Sequence, residues 1–200
     1  MKLNKKIYFI IGIALLSIII LLVIINKKDN NNDASKFSNE YKNVPINNKF
    51  KYVNAKEAIE ILQNETGILF MGFGDCIWCQ DYAKYLNETI MNTNINEIYY
   101  LNIYKDRKNN SKEYKKIVKI LNNNLPYDEM GNHQILVPST SFILNGVVNN
   151  YDDETSYVSK DMPSTKDYWN DERIKQFKEK INNYSNSILD NGVCKDNNGC

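Results

Sequence analysis

A short apolar run that leads into a pair of cysteines constrains the fold of this chain more than any other feature. Residues Ile68–Phe73 read ILFMGF, a continuous apolar stretch typical of a strand buried on both faces. Gly74 ends the run, and Cys76 and Cys79 follow with two residues between them. Beyond Cys79, apolar residues recur at positions 82, 83, 86 and 90, the spacing of one buried helical face. The sequence therefore predicts a buried strand that turns through the cysteine pair into a helix.

Further strands and a hairpin surround this segment. Strand patterns occur at Phe50–Val53 and at Glu97–Tyr104. Asn145-Gly146 lies between two apolar runs, which is a strong signal for a two-residue hairpin turn. With the intervening helical patterns, the predicted order is βαβαβαββα. Such alternation favours an α/β domain with a central mixed sheet flanked by helices.

Capping signals mark the starts of two predicted helices. Asn54 is followed three residues later by Glu57, the arrangement of a capping box. Asn110 stands three residues before Glu113, so Asn110 is the predicted N-cap of a second helix. A last helix is predicted from about Asp171, because apolar residues recur there every three or four positions.

The N-terminal segment has the composition of a membrane anchor. Residues 7–25 carry no charge and are long enough, as a helix, to span the hydrocarbon core of a bilayer. A cleaved signal peptide would have a shorter apolar region and small residues at a cleavage site. Lysines flank the segment, three before it and two after it: Lys2, Lys5, Lys6, Lys27 and Lys28. This excess predicts a cytoplasmic N-terminus at residues 1–6 and a single-pass cell-membrane protein, as in Gram-positive bacteria, whose folded domain faces outside.

The remaining boundaries follow from composition. Residues 26–48 are polar and are predicted to be a tether, since they offer little apolar surface to bury. Residues 49–190 form the predicted α/β domain, and residues 191–200 a polar tail with Cys194 and Cys200. The formal net charge of +1 argues against a nucleic-acid partner.

The cysteine pair has three interpretations: a structural disulfide, half of a zinc site, or a redox pair. A zinc site needs two more ligands, and Cys194 and Cys200 are spaced by five intervening residues in a polar tail. No metal is therefore predicted. A redox pair fits the position better, because Cys76 would lie at a helix N-terminus, where backbone N–H groups stabilise a thiolate. Cys79 would lie one turn further on, near enough to close a short disulfide. Asp75 opposes this effect, because its charge raises the pKa of a neighbouring thiol.

Cys76-Ile77-Trp78-Cys79 after a strand, together with Val137-Pro138-Ser139 before a hairpin, resembles the thioredoxin fold over roughly residues 50–184. The resemblance implies that Cys76 is the nucleophile and that Cys79 is the resolving thiol. It also implies a cis peptide bond at Pro138, opposite the disulfide, with the backbone of Val137 free to pair with an extended substrate. Trp78 would belong to the apolar surface around the disulfide.

The function implied is that of a membrane-anchored, extracytoplasmic thiol–disulfide oxidoreductase that acts on protein thiols or disulfides. It would need no cofactor beyond its cysteines and would exchange electrons with a membrane redox partner. Small Gram-positive proteins of the bacteriocin transport accessory type are similar. A second hypothesis is a binding module that holds peptides between Trp78 and Pro138 without redox turnover. Cys194 and Cys200 would be able to form a second disulfide outside the cell.

Three features depart from the thioredoxin pattern. Phe70 stands where cytosolic thioredoxins carry a buried aspartate, so proton transfer at Cys79 requires water or another group. The bridging dipeptide Ile77-Trp78 is neither the Gly-Pro of thioredoxins nor the Pro-His of strong oxidants. An insertion is expected at Leu121–Gln134, near the site, and its single histidine, His133, is expected to be solvated.

The anchor yields a first prediction. Full-length protein expressed in bacteria should remain in the membrane fraction through a carbonate wash, because residues 7–25 would lie in the hydrocarbon core. External protease should digest the folded domain of intact protoplasts and leave a short stub. Release of a soluble mature form, or complete protection from protease, would contradict this topology.

Overall fold

A computed structural model of the chain describes residues 33–153, 155 and 164–193. The strands are β1 (Phe50–Tyr52), β2 (Gly67–Gly72), β3 (Ile98–Asn102), β4 (Ser139–Leu144) and β5 (Val147–Asp152). The helices are α1 (33–40), α2 (Ala55–Asn64), α3 (Ile77–Ile90), α4 (Tyr104–Lys108), α5 (Lys112–Leu121), α6 (Thr165–Tyr168) and α7 (Asp171–Val193). A 3₁₀ turn, Asn122–Asn124, follows α5.

The five strands form one mixed sheet in the order β1-β3-β2-β4-β5. β1, β3 and β2 are parallel, whereas β4 runs antiparallel to β2 and β5 antiparallel to β4. The predicted α/β class with a mixed sheet flanked by helices is confirmed. The predicted order of strands and long helices is also confirmed, and the structure adds α1, α4 and α6 to it.

Local sequence signals account for the start of α2 and for the turn between β4 and β5. The Asn54 side chain accepts hydrogen bonds from the backbone of Lys56 and Glu57, and the Glu57 carboxylate accepts one from Asn54 N at 2.7 Å, so the capping box is confirmed. The hairpin is confirmed as well. Asn145 and Gly146 have φ angles of 50° and 76°, the positive values that a tight hairpin turn requires.

Alternating residues of each strand divide the core into two layers. On one face α1, α3 and α7 cover Phe70 and Phe142, and on the other α2 and α5 cover Met71 and Ile143. The central strand β2 is therefore buried on both sides, as its unbroken apolar sequence predicted.

The predicted tether at residues 26–48 is wrong over the part that the structure describes. Residues 33–40 form helix α1, and Phe37 is fully buried, with its ring stacked on those of Phe50 and Tyr41 at centroid distances of 3.7 and 4.3 Å. Ala34, Phe37, Tyr41 and Val44 recur every three or four residues and point into the core. Because polar residues lie between these four positions, the average composition of residues 26–48 does not reveal the apolar helical face.

Two further local predictions need correction. The N-cap of α5 is Ser111, whose hydroxyl accepts a hydrogen bond from Tyr114 N, and not Asn110. Asn110 instead adopts a positive φ of 47° after α4, a conformation that asparagine tolerates better than most residues. The third strand ends at Asn102, because the chain turns into α4 where the sequence pattern predicted more strand.

In the described part of the chain, every helix is too short or too polar to cross a bilayer. The predicted anchor at residues 7–25 lies outside the described residues, and so do Cys194 and Cys200.

The docking of α1 yields a second prediction. Phe37→Ala should lower the free energy of unfolding by about 3–5 kcal/mol, because it removes a fully buried ring from a packed aromatic cluster. The matched control is Asn39→Ala on the exposed side of the same helix, which should change it by less than about 0.5 kcal/mol. Urea titration of both variants measures the difference. Equal stability of the two variants would show that α1 does not pack on the sheet in solution.

Candidate functional site

The cysteine pair and the segment before β4 meet at one end of the sheet. β2 ends at Gly72 and leads through a short loop into α3, while Met71 pairs with Ser139 at the start of β4. Continued by one residue, this antiparallel register sets Pro138 beside Gly72. The Val137–Pro138 peptide bond is cis, as the resemblance implied.

The two cysteines form a disulfide and differ strongly in exposure. Their Cα atoms are 5.2 Å apart, within the ordinary range for a disulfide. Cys76 is half-buried, whereas Cys79 is fully buried on the inner face of α3. A partner molecule can therefore reach the sulfur of Cys76 but not that of Cys79.

Cys76 is the N-cap of α3. Its Sγ atom accepts a hydrogen bond from Cys79 N at 3.2 Å. The same N–H and the positive end of the helix dipole would stabilise negative charge on this sulfur in the reduced protein. The position predicted from the sequence for Cys76, at a helix N-terminus, is confirmed.

Two glycines let neighbouring groups approach the pair closely. A Cβ atom at Gly74 would lie 2.5 Å from Cγ of Glu40, so no larger residue fits there without movement. A Cβ atom at Gly72 would lie 2.9 Å from the Tyr41 hydroxyl and 3.4 Å from Cys79 Sγ. The absence of side chains at these positions allows the end of α1 to pack against the cysteine loop.

Apolar side chains border the reachable sulfur. Ile77 is 66% exposed, and Trp78 is half-buried with its ring in edge contact with Tyr168 of α6 at 5.6 Å. Val137 is half-buried and packs, like Cys76 and Trp78, at the border of the core. The structure thus places the sequence-predicted site residues at the same end of the sheet.

Phe70 is fully buried beneath α3, so an aromatic ring lies in the interior below the cysteine pair. It stacks on Tyr82 at 5.8 Å and on Tyr100 at 5.6 Å. Asp152 is a buried acid on this side, and it accepts a hydrogen bond from the Tyr82 hydroxyl at 2.8 Å and forms an ion pair with Lys180.

A second carboxylate, which the sequence reasoning missed, lies beside the cysteine loop. Oε1 of Glu40 accepts hydrogen bonds from Gly74 N at 3.0 Å, from the Tyr100 hydroxyl at 2.5 Å and from the Asn102 amide at 3.0 Å. Its Oε2 accepts one from the Tyr52 hydroxyl at 2.6 Å. The apolar stripe of α1 would have revealed the helix, but nothing local to residue 40 indicates these partners.

Gln80 ties the same helix end to the cysteine loop. Its amide nitrogen donates to the backbone oxygens of Glu40 and Gly74, at 2.8 and 2.7 Å, and its amide oxygen accepts from Lys42 N. Through Gln80 and Glu40, the residues at the end of α1 are thus joined to the cysteine loop by several hydrogen bonds.

The insertion Leu121–Gln134 leads directly into the segment before Pro138. His133 is half-buried, with its ring against Tyr127 at 4.2 Å and Nδ1 3.1 Å from the carbonyl oxygen of Leu125, so the prediction of a solvated histidine is wrong. Arg107 lies over the ring of Phe73, 5.5 Å from its centroid, and donates to the carbonyl of Ile135. Arg107 therefore links the start of the cysteine loop to the residue that follows the insertion.

Across the described ranges, no three side chains of histidine, cysteine, aspartate or glutamate converge in a way that could hold a metal ion.

A scan against models of protein families and a search of curated proteins found no match to this sequence.

The unequal exposure of the two sulfurs yields a third prediction. After reduction, Cys76 should react with iodoacetamide at least about tenfold faster than Cys79, because only its sulfur is reachable and because the helix N-terminus favours its thiolate. The rate at Cys76 should reach half its maximum at a pH below that of a free cysteine. Mass spectrometry of peptides labelled at a series of times assigns each rate. Faster labelling of Cys79 would reverse the assignment of the two sulfurs.

Proposed function

We propose that this chain is a membrane-anchored, extracytoplasmic thiol–disulfide oxidoreductase of the thioredoxin-like class. The observation that carries the proposal is the contrast between the two sulfurs: Cys76 is reachable and accepts a hydrogen bond at a helix N-terminus, whereas Cys79 is sealed in the core. A structural disulfide does not require one reachable and one buried sulfur, whereas a nucleophile and its resolving thiol do.

The reaction proceeds by two exchanges of sulfur. The Cys76 thiolate attacks one sulfur of a substrate disulfide, the substrate S–S bond breaks, and the leaving sulfur departs with the bonding electron pair. The Cys79 thiolate then attacks Cys76 Sγ, so the bond between Cys76 and the substrate breaks and the Cys76–Cys79 disulfide forms. The substrate gains two electrons and the protein loses two. Run in reverse, the same steps oxidise a substrate dithiol.

The segment before Pro138 supplies the proposed docking edge. Val137 is half-buried, and within the described residues its backbone N–H and C=O take part in no hydrogen bond. An extended substrate strand would pair with these groups, as in other cases of strand addition. Trp78 and Ile77 would pack against the side chains of that strand.

The different roles proposed for Cys76 and Cys79 yield a fourth prediction. Cys79→Ala should accumulate covalent complexes with substrate proteins, because the mixed disulfide on Cys76 then has no resolving thiol. Cys76→Ala is the matched variant and should trap few, because Cys79 is fully buried. Non-reducing gels of cells that express each variant, with and without added reductant, measure the trapped fraction.

A turnover assay of the wild-type protein distinguishes the proposed redox function from the alternative, a binding module without redox turnover. A redox enzyme should reduce insulin or oxidise a dithiol peptide, and either single cysteine variant should lose that activity. Equal trapping by both variants would contradict the roles assigned to Cys76 and Cys79. Binding of peptides by the wild-type protein without any exchange would instead favour a binding module without redox turnover.

A further inference from the structure

Helices α4 and α5 carry an uneven share of the positive charge of this chain. Residues 104–121 contain seven basic and two acidic side chains, whereas the whole chain has a formal net charge of +1. Six of the basic side chains are exposed lysines, and together they are called the basic face: Lys105, Lys108, Lys112, Lys115, Lys116 and Lys119. Such a concentration of like charge creates a positive potential over this side of the molecule.

The spacing of the lysines on α5 is unfavourable for the helix unless an anion lies against them. Lys112 and Lys116 are four residues apart, and so are Lys115 and Lys119. Like charges at this spacing repel one another and destabilise a helix. Within residues 33–153 and 164–193, no lysine of the basic face forms an ion pair. The basic face is therefore available to an anion from outside the described part of the chain.

Exposed apolar side chains border the basic face. Tyr104, Tyr127 and Met130 are 45%, 66% and 83% exposed. Tyr104 begins α4, and the Lys108 ammonium group lies over its ring, 5.8 Å from the centroid. Met130 and Lys115 line the same cavity, of about 490 Å³, between α5 and the insertion. This surface thus combines cations with apolar side chains.

The turn that carries Met130 is held by its own hydrogen bonds. The Asp128 carboxylate accepts from Met130 N and Asn132 N at 2.9 and 2.8 Å, and Gly131 has a positive φ of 79°, which glycine adopts without strain. The carboxylate of Asp128 is thereby engaged within the turn. Glu129 is an exposed acid beside Met130 and offsets only part of the charge of the basic face.

The chain enters the described domain beside this surface. Asp33, the first residue of α1, accepts a hydrogen bond from Tyr52 N at 3.0 Å. Lys36 of α1 and Tyr52 line a cavity of about 420 Å³ together with Tyr104 and Lys105, at the start of α4. The first turn of α1 and the start of the basic face therefore lie on the same cavity.

The predicted anchor is separated from α1 by a short piece of chain. Residues 26–32 are seven residues, which span at most about 25 Å even when fully extended. An anchor at residues 7–25 would thus keep the basic face close to the bilayer, at a high effective concentration of lipid headgroups.

We infer that the basic face and the apolar side chains beside it dock on the surface of an anionic lipid bilayer. The lysines pair with lipid phosphates, while Tyr104 and Met130 enter the interfacial layer, as in other elements that lie on membrane surfaces. This inference rests on the membrane anchor of the proposed function and does not depend on the redox reaction. It adds a second contact with the membrane, which sets the orientation of the domain.

An acidic protein is the competing partner, and the composition of the surface makes it the weaker candidate. All six exposed cations of the basic face are lysines, whose ammonium groups act as point charges, whereas specific recognition of carboxylates favours the two-pronged guanidinium of arginine. The arginine of this segment, Arg107, is half-buried and packs on Phe73. A diffuse negative surface suits a stripe of lysines better than a set of discrete carboxylates does.

The reactivity of individual lysines in proteoliposomes tests the inference. The full-length protein is inserted into vesicles of phosphatidylcholine alone, or of phosphatidylcholine with about one-third of the anionic lipid phosphatidylglycerol. Reductive methylation with formaldehyde slows when an amine is covered or ion-paired, and mass spectrometry gives the rate for each lysine. The lysines of the basic face should react on the order of tenfold more slowly in the anionic vesicles. This protection should disappear in about 1 M salt, where the Debye length falls to about 3 Å.

A pair of double variants separates docking from a general effect of the charged surface. Lys115→Gln with Lys119→Gln should weaken docking on the order of 30-fold, so the remaining lysines of the basic face should react nearly as fast as in neutral vesicles. Loss of this repelling pair does not destabilise α5, so the variant should fold. The matched control is Lys166→Gln with Lys175→Gln, two exposed lysines on α6 and α7. The control should keep the basic face protected.

Three results would overturn the inference: equal rates at the basic face in both kinds of vesicle, equal slowing at Lys166 and Lys175 of the wild type, or protection that survives the loss of Lys115 and Lys119. Protection of equal strength in neutral vesicles would indicate that a protein surface covers the basic face. A chain that leaves the vesicles in a carbonate wash would contradict the anchor of the proposed function and this inference with it, which differs from an anchored chain with unprotected lysines.

Discussion

Strand β2 is buried on both faces and paired on both edges. This arrangement fixes the positions of the cysteine loop and of Pro138 at the candidate site. β3 fixes one edge of this strand and β4 the other, so the direction in which the chain leaves Gly72 is set by two ladders of hydrogen bonds. Cys76 therefore emerges at a fixed point above the sheet, and the start of β4 brings Pro138 to the same end. A strand with one free edge would leave the loop between them with far more freedom.

Helix α1 adds a second constraint on the same loop. Hydrogen bonds from Gly74 and Gln80 to Glu40 hold the loop from the side opposite β4, while the rings of Phe37 and Tyr41 anchor the helix to the sheet. Two glycines make this contact sterically feasible, because side chains at either position would displace it. Elements from three separate parts of the chain thus hold the loop that carries Cys76 in place.

The sequence was informative at several elements whose determining interactions are local. The capping box at Asn54 and the turn at Asn145-Gly146 involve residues within a few positions of each other, and the N-terminal position of Cys76 on a helix follows from the strand before it and the periodicity after it. The hydrogen bonds of Glu40, in contrast, depend on partners that lie 12 to 62 residues away along the chain. The polar composition of residues 26–48 also led to the wrong prediction of a tether at α1, where four apolar residues among many polar ones are enough to pack a helix against the core.

The packing of α1 also defines where the folding unit begins. A fragment that started at Phe50 would retain all five strands, yet it would expose the ring faces of Phe50, Phe70 and Tyr100 that Phe37 and Tyr41 cover. Contiguous exposed rings of this kind promote self-association. Recombinant fragments intended for crystallisation or spectroscopy should consequently begin upstream of residue 33, even though the alternating strands and helices begin nearly twenty residues later.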